Sequence, residues 1–184
     1  AWTYKTGDSE SFSSIPVVRY QGQLYYINDR ASKVWVNLST NAKSTEPEKF
    51  VQENLFVWMR DYAPIINIGK VNENTPIVYS AVECPACVEL ESELAKKKKG
   101  YRVLPSSLSR YPSDDYLSIT CAADKSKSWL RAMTKRQIED PVPSDCDDPF
   151  GVVKAWARVW SVDSFPTAIT QGRLFVVGIP KIVG

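Results

Sequence analysis

The residues of this chain that could do redox chemistry are Cys84 and Cys87, separated by Pro85 and Ala86. Two thiols at this spacing can exchange with a disulfide, because the second can attack a mixed disulfide formed at the first. If a helix begins here, Cys84 lies at its N-terminus, where the dipole and the free N–H groups favour a thiolate. The spacing therefore predicts Cys84 as the attacking thiol and Cys87 as the resolving thiol.

The segments on either side of this CxxC pair fit a strand that passes directly into a helix. Residues 76–82 are short, apolar and rich in β-branched side chains, which predicts a buried strand. Pro85 suits the first helical position because the backbone N–H that it lacks would have no partner there. The helix is predicted to stop at Gly100. Its acidic residues come early and its lysines late, an order that complements the helix dipole: Glu89, Glu91 and Glu93, then residues 96–99.

Two other roles remain open for a CxxC pair. A zinc site would need all four cysteines of the chain, and Cys121 and Cys146 do not form a second close pair. A static structural disulfide would keep Cys84 and Cys87 permanently oxidised.

The chain contains no His, which excludes Ser-His-Asp and Cys-His catalysis, haem attachment through CxxCH and facial-triad iron sites. We therefore expect no metal and no other cofactor.

The composition favours a globular protein over a nucleic-acid-binding or membrane-spanning one. At 184 residues, the chain fits one domain or one domain with a small appendage, and its 43% hydrophobic content supports a core. A net charge of +2 gives no electrostatic reason to expect a nucleic-acid partner. No apolar run approaches the roughly 18 residues that a membrane span needs, and no signal peptide is visible at Ala1.

The other two cysteines bear on the compartment. With the CxxC as one pair, Cys121 and Cys146 are either bonded to each other or buried as two thiols. A long-range disulfide between them would indicate an oxidising compartment, whereas two thiols would be compatible with the cytosol.

The remaining pattern predicts an α/β fold with a mixed sheet. Residues 1–14 are expected to form a loosely structured arm, and residues 15–38 a small β meander. Further strands are predicted at 65–69, 101–104, 165–170 and 173–177, with Pro105 ending the second of these. Helices are predicted at 47–62, 113–123, 126–136 and from 148 onwards.

The strand, the CxxC, the helix, an inserted helical segment and Pro166 at the start of a hairpin strand together resemble the thioredoxin fold. In detail, they resemble the bacterial periplasmic disulfide isomerases of the DsbC/DsbG type, among them plasmid- or conjugation-associated homologues. The resemblance covers residues 45–179 and is only suggestive over the meander. It implies three parts: an N-terminal arm and meander (1–43), a linker helix (44–63), and a thioredoxin-like catalytic domain (64–184) with a helical insertion at about 106–147.

The same resemblance implies the roles of six residues: catalytic Cys84 and Cys87, substrate-binding Phe165 and Pro166 in a cis-proline loop, and a structural disulfide between Cys121 and Cys146. The chain departs from the family's pattern at two positions. Ala86 stands where the family commonly has Tyr, and Phe165 where isomerases usually have Thr.

The function implied is a thiol–disulfide oxidoreductase that acts on protein disulfides in the periplasm as an isomerase or a reductase. Its partners would be disulfide-containing substrate proteins and a membrane or soluble thiol reductant, and dimerisation through the N-terminal region is compatible with it. The alternative from another class is a disulfide-stapled structural or interaction protein of a secretion or conjugation apparatus, without redox turnover.

Overall fold

The computed structural model describes residues 2–6, 13–29, 31–109, 112–138, 141–171 and 173–175. The chain divides into two compact units. The first contains the residues up to Ala63 together with Gly151–Asp163, and the second contains Pro64–Phe150 and the residues from Ser164 onwards. The three-part division expected from the resemblance stays a prediction.

The first unit is built on an antiparallel sheet of five strands, in the order β1-β2-β3-β4-β5. Its elements are β1 (Trp2–Thr6), β2 (Ser13–Tyr20), β3 (Gln23–Asp29), β4 (Val34–Asn37), β5 (Lys43–Ser44), helix α1 (Glu46–Tyr62) and most of helix α5 (Phe150–Trp160). The fully buried Trp35 of β4 donates from its indole Nε1 to Glu48 of α1 at 2.9 Å, which ties the helix to the sheet. The sheet is larger than predicted, because β1 forms where a loosely structured arm was expected.

The second unit is built on a mixed sheet in the order β10-β9-β7-β8-β6. Its strands are β6 (Ile66–Ile68), β7 (Ile77–Ala81), β8 (Tyr101–Ser106), β9 (Thr167–Thr170) and β10 (Arg173–Phe175). The central strand β7 is parallel to β8 and antiparallel to β9, and all five of its residues are buried. The predicted α/β class, with a mixed sheet after an N-terminal β meander, is confirmed. The predicted end of the last strand, Val176 and Val177, lies outside the described residues.

Three helices of the second unit contribute to one apolar core with the sheet: α2 (Pro85–Lys96), α3 (Asp114–Thr120) and α4 (Lys125–Lys135). Val78, Leu90 and Met133 lie in this core with no exposed surface. Ser113 caps α3, since its hydroxyl accepts a hydrogen bond from the Tyr116 N–H at 3.2 Å. Both cysteines of the CxxC belong to the same core.

Two predicted element ends were wrong for reasons of tertiary structure. β8 does not stop at Pro105. The antiparallel strand β6 begins with Ile66 opposite Val103, so no residue of β6 lies opposite the proline to need its missing N–H. Helix α2 ends at Lys96 rather than at Gly100. Gly100 is instead required by a close approach, since a Cβ there would lie 1.9 Å from the carbonyl oxygen of Lys70.

Among the described residues, no helix is both long enough and apolar enough to cross a membrane.

Candidate active site

Cys84 lies at the point where the central strand passes into α2. Its backbone is extended (φ −83°, ψ 114°), so that it is the N-cap residue, and Pro85 occupies the first turn of the helix. The Cys84 sulfur accepts a hydrogen bond from the backbone N–H of Cys87 at 3.2 Å. Cys84 belongs to the buried core and only 6% of the residue is exposed. This is the local geometry that the sequence predicts.

Cys87 lies one turn further along the helix and is fully buried. Burial raises the pKa of the Cys87 thiol, because desolvation disfavours a thiolate there. The backbone of Ala81 and the side chain of Ser80, both on β7, oppose this rise. The two sulfurs are not bonded to each other in this structure. The two cysteines of the pair therefore differ in access, and burial disfavours the thiolate of Cys87.

We expect iodoacetamide at mildly acidic pH to alkylate Cys84 well before Cys87. Cys84 keeps some exposed surface and lies at a helix N-terminus, whereas Cys87 is inaccessible and holds its proton. Mass mapping after a short pulse measures the ratio of labelling. A Cys84→Ser variant should take up no label at Cys87 in the same time. Equal labelling of the two thiols would contradict the assignment.

The predicted proline loop comes to the same edge of the sheet. β9 runs antiparallel to β7 with Thr167 opposite Tyr79, so that Phe165 and Pro166 lie beside the end of β7 that leads into Cys84. The Phe165–Pro166 peptide bond is cis. The Phe165 ring stacks on Tyr79 with centroids 4.4 Å apart, and Phe165 packs against the core that contains both sulfurs.

Glu83 precedes the CxxC, and its charge could disfavour a thiolate at Cys84 if it lay nearby. Its carboxylate instead accepts hydrogen bonds from the residue 107–113 segment: Ser107 Oγ at 2.8 Å, Ser113 Oγ at 2.6 Å and the Leu108 N–H at 3.1 Å. Although burial opposes ionisation, these bonds hold the pKa of Glu83 below its ordinary value. Glu83 therefore anchors the start of the helical insertion to the CxxC segment.

The remaining two cysteines are bonded to each other. Cys121 follows the last residue of α3, Cys146 lies in the loop before α5, and their Cα atoms are 5.5 Å apart. The four-cysteine zinc site is thereby wrong, because two of its four ligands already form a disulfide. The alternative of two buried thiols is wrong for the same reason.

The core beneath the site contains a carboxylate whose burial the sequence analysis missed. Glu91 of α2 has no exposed surface, and its carboxylate accepts from Ser80 Oγ at 2.6 Å, from the Tyr101 hydroxyl at 2.8 Å and from Trp129 Nε1. Burial raises the pKa of Glu91 to about 7, although the three hydrogen bonds oppose the rise. A signal was present, because Glu91 falls on the apolar face of the helix, four residues after Cys87 and between Leu90 and Leu94.

No protein-family model matches this chain, and no curated protein matches it. Among solved structures, the crystal structure of a disulfide interchange protein from Neisseria gonorrhoeae is similar to it, with a TM-score of 0.52 and 18% sequence identity. The match covers 66% of this chain and 91% of that one. The likeness confirms that the predicted thioredoxin-like fold is correct.

Proposed function

We propose that this chain is a thiol–disulfide oxidoreductase that acts on the disulfides of other proteins as a reductase or isomerase. The observation that carries the proposal is the arrangement of Cys84 at the N-terminus of α2, with Cys87 buried one turn inside. The thioredoxin-like fold and the position of the Phe165–Pro166 loop beside the same strand end support it. The solved neighbour is itself a disulfide interchange protein, which agrees with this reading.

In this mechanism the Cys84 thiolate attacks a substrate disulfide and forms a mixed disulfide, and one substrate thiolate leaves. Cys87 then attacks the Cys84 sulfur, which closes the Cys84–Cys87 disulfide and releases the second substrate thiolate. Isomerisation follows instead when a substrate thiol resolves the mixed disulfide before Cys87 does. Phe165 and Pro166 would bind the substrate backbone beside Cys84.

The Cys121–Cys146 disulfide supports an oxidising compartment, because such bonds are rare where thiols are kept reduced. The resemblance to the DsbC/DsbG type suggests that this compartment is the periplasm. There the enzyme would need a membrane or soluble thiol reductant to restore its two thiols after each turnover. Dimerisation through the N-terminal sheet would also agree with a protein of the DsbC/DsbG type.

The proposal is tested by the reduction of insulin disulfides with a thiol reductant, followed as turbidity. We expect catalysis by the wild-type chain and its loss in Cys84→Ser, because that variant lacks the attacking thiol. A Cys121→Ser/Cys146→Ser variant is the matched control. It should retain catalysis under assay conditions in which it remains folded. Wild-type protein that is no faster than Cys84→Ser would favour the non-enzymatic alternative of a stapled interaction protein.

A further inference from the structure

A cavity of about 300 Å³ adjoins the turn that presents Cys84. The Cys84 N–H donates to the carbonyl oxygen of Ala81 at 3.2 Å, which places Val82 and Glu83 at the two central positions of a β-turn. Both of these central residues line the cavity. The cavity therefore begins at the residue that immediately precedes the attacking cysteine.

The rest of the cavity wall comes from the helical insertion. Asp115 lies in the first turn of α3, and Ala132 lies in α4. Arg136 is the C-cap residue of α4, and Ile138 follows two residues later. Ligand pockets in proteins measure about 300–1,000 Å³, so a cavity at the lower end of this range suits a single side chain better than a large ligand.

Part of the wall is apolar. Val82 and Ala132 are buried apolar residues, and Ile138 is 38% exposed, so that it extends the apolar wall towards solvent. A long charged side chain can lay its methylene groups along a wall of this kind while its charged tip stays in contact with polar groups or water.

The charged part of the wall consists of two carboxylates and one guanidinium, from Glu83, Asp115 and Arg136. Although burial opposes ionisation, the hydrogen bonds to Glu83 hold its pKa below the ordinary value. Arg136 Nη1 donates to the carbonyl oxygen of Val82 at 3.2 Å, which holds the guanidinium against the turn. Within the part of the chain that the structure describes, the Asp115 carboxylate has neither a hydrogen bond nor an ion pair. The cavity therefore has an excess of negative charge, and Asp115 is the group that can meet a cation.

Resting on the proposed function, we propose that this cavity is a substrate subsite that binds one lysine or arginine side chain close to the cysteine that Cys84 attacks. The methylene groups of that side chain lie against Val82 and Ile138, and its cationic tip meets the Asp115 carboxylate.

Such a subsite gives the reaction a preference for sequence that a backbone contact cannot give. In the proposed mechanism, Phe165 and Pro166 bind the substrate backbone, which is the same for every residue. In peptide recognition, contacts to the main chain give affinity, and pockets for side chains give specificity. The cavity would supply the second of these on the side of Cys84 that faces the helical insertion.

The test uses short peptides with one cysteine, each activated as a mixed disulfide with nitrothiobenzoate. The Cys84 thiolate attacks the peptide sulfur, forms the Cys84–peptide disulfide and releases nitrothiobenzoate as a thiolate, whose absorbance gives the rate. The peptides carry lysine, norleucine or glutamate at one of four positions, one or two residues before or after the cysteine. The rate of each peptide with dithiothreitol corrects for its intrinsic reactivity.

At one or more of the four positions, we expect the wild type to react about threefold faster with the lysine peptide than with the norleucine peptide, as is typical of an exposed charge pair. Asp115→Asn should bring this ratio to about one. Asp114→Asn is the matched control and should keep the wild-type ratio, because Asp114 has the same charge in the same helical turn but does not line the cavity. In about 1 M salt, where the screening length is about 3 Å, the wild-type ratio should also fall to about one.

Two results would overturn the inference. The first is a ratio of lysine to norleucine rates that is the same in Asp115→Asn and Asp114→Asn at all four positions. The second is a wild-type preference for the glutamate peptides, which would mean that Arg136 decides the charge that the cavity accepts.

Neither result affects the oxidoreductase assignment, as long as the release of nitrothiobenzoate depends on Cys84. Release at the same rate from Cys84→Ser, with every peptide, would defeat the proposed function itself and this inference with it. The two failures are therefore distinguishable in one set of measurements.

Discussion

Replacing Cys121 and Cys146 together by serine is expected to lower the free energy of unfolding by about 3 kcal/mol. The disulfide closes a loop with a sequence separation of 25 residues. In the loop-entropy description, opening such a loop lets the unfolded chain regain conformational freedom, which stabilises the unfolded state relative to the folded one. The bond also closes the helical insertion, since it joins the end of α3 to the loop before α5.

Urea denaturation of the wild type and the double variant measures the difference. The single variant Cys121→Ser is a control, because it opens the same loop and should lose about the same free energy. A mild thiol that reduces the CxxC pair should leave the Cys121–Cys146 bond intact in mass mapping. A loss below about 1 kcal/mol would contradict the entropic account.

Features of the site that depend on neighbouring residues in sequence could be predicted. A buried β-branched strand followed by CxxC, with proline inside the pair, specifies a helix start, and the structure has Cys84 as N-cap and Pro85 in the first turn. The Ser113 cap of α3 is equally local, because a hydroxyl accepts from an N–H three residues later. Such features need no knowledge of the rest of the fold.

Features set by distant segments could not be predicted in the same way. Pro105 was read as the end of a strand, because the sequence does not show that β6 reaches only to Val103 and leaves the proline without a partner on that side. Gly100 was read as a helix stop, although the close approach of the Lys70 carbonyl explains it better. Both errors come from contacts between elements rather than from local propensity.

Glu91 shows how the burial of a carboxylate can be hidden by a general rule. Acidic residues early in a helix complement its dipole, and the sequence analysis applied that rule to Glu89, Glu91 and Glu93 alike, although none of them lies in the first turn of α2. Only one of the three lies on the buried face, and its three partners come from β7, β8 and α4. The helical period could have marked Glu91 as buried, but its partners could only be found in the folded chain.

The raised pKa of Glu91 leads to the second stability prediction. Its pKa is about 7 in the folded chain against an ordinary value of 4.5, so between these two values the folded state binds a proton that the unfolded state has lost. The contribution of Glu91 to the free energy of unfolding is therefore fully present below the pKa that Glu91 has in the unfolded chain. It is lost as the pH rises to about 7. Since one pKa unit corresponds to about 1.4 kcal/mol, the expected loss is about 3 kcal/mol.

The measurement is the free energy of unfolding, by urea denaturation, of the wild type and Glu91→Gln at a series of pH values from about 4 to about 8. Other carboxyl groups titrate in both proteins, so the difference between the two curves isolates Glu91. That difference should shift in favour of Glu91→Gln as the pH rises, and should be constant above the folded pKa. A difference that does not vary with pH would mean that Glu91 ionises as readily in the fold as in the unfolded chain.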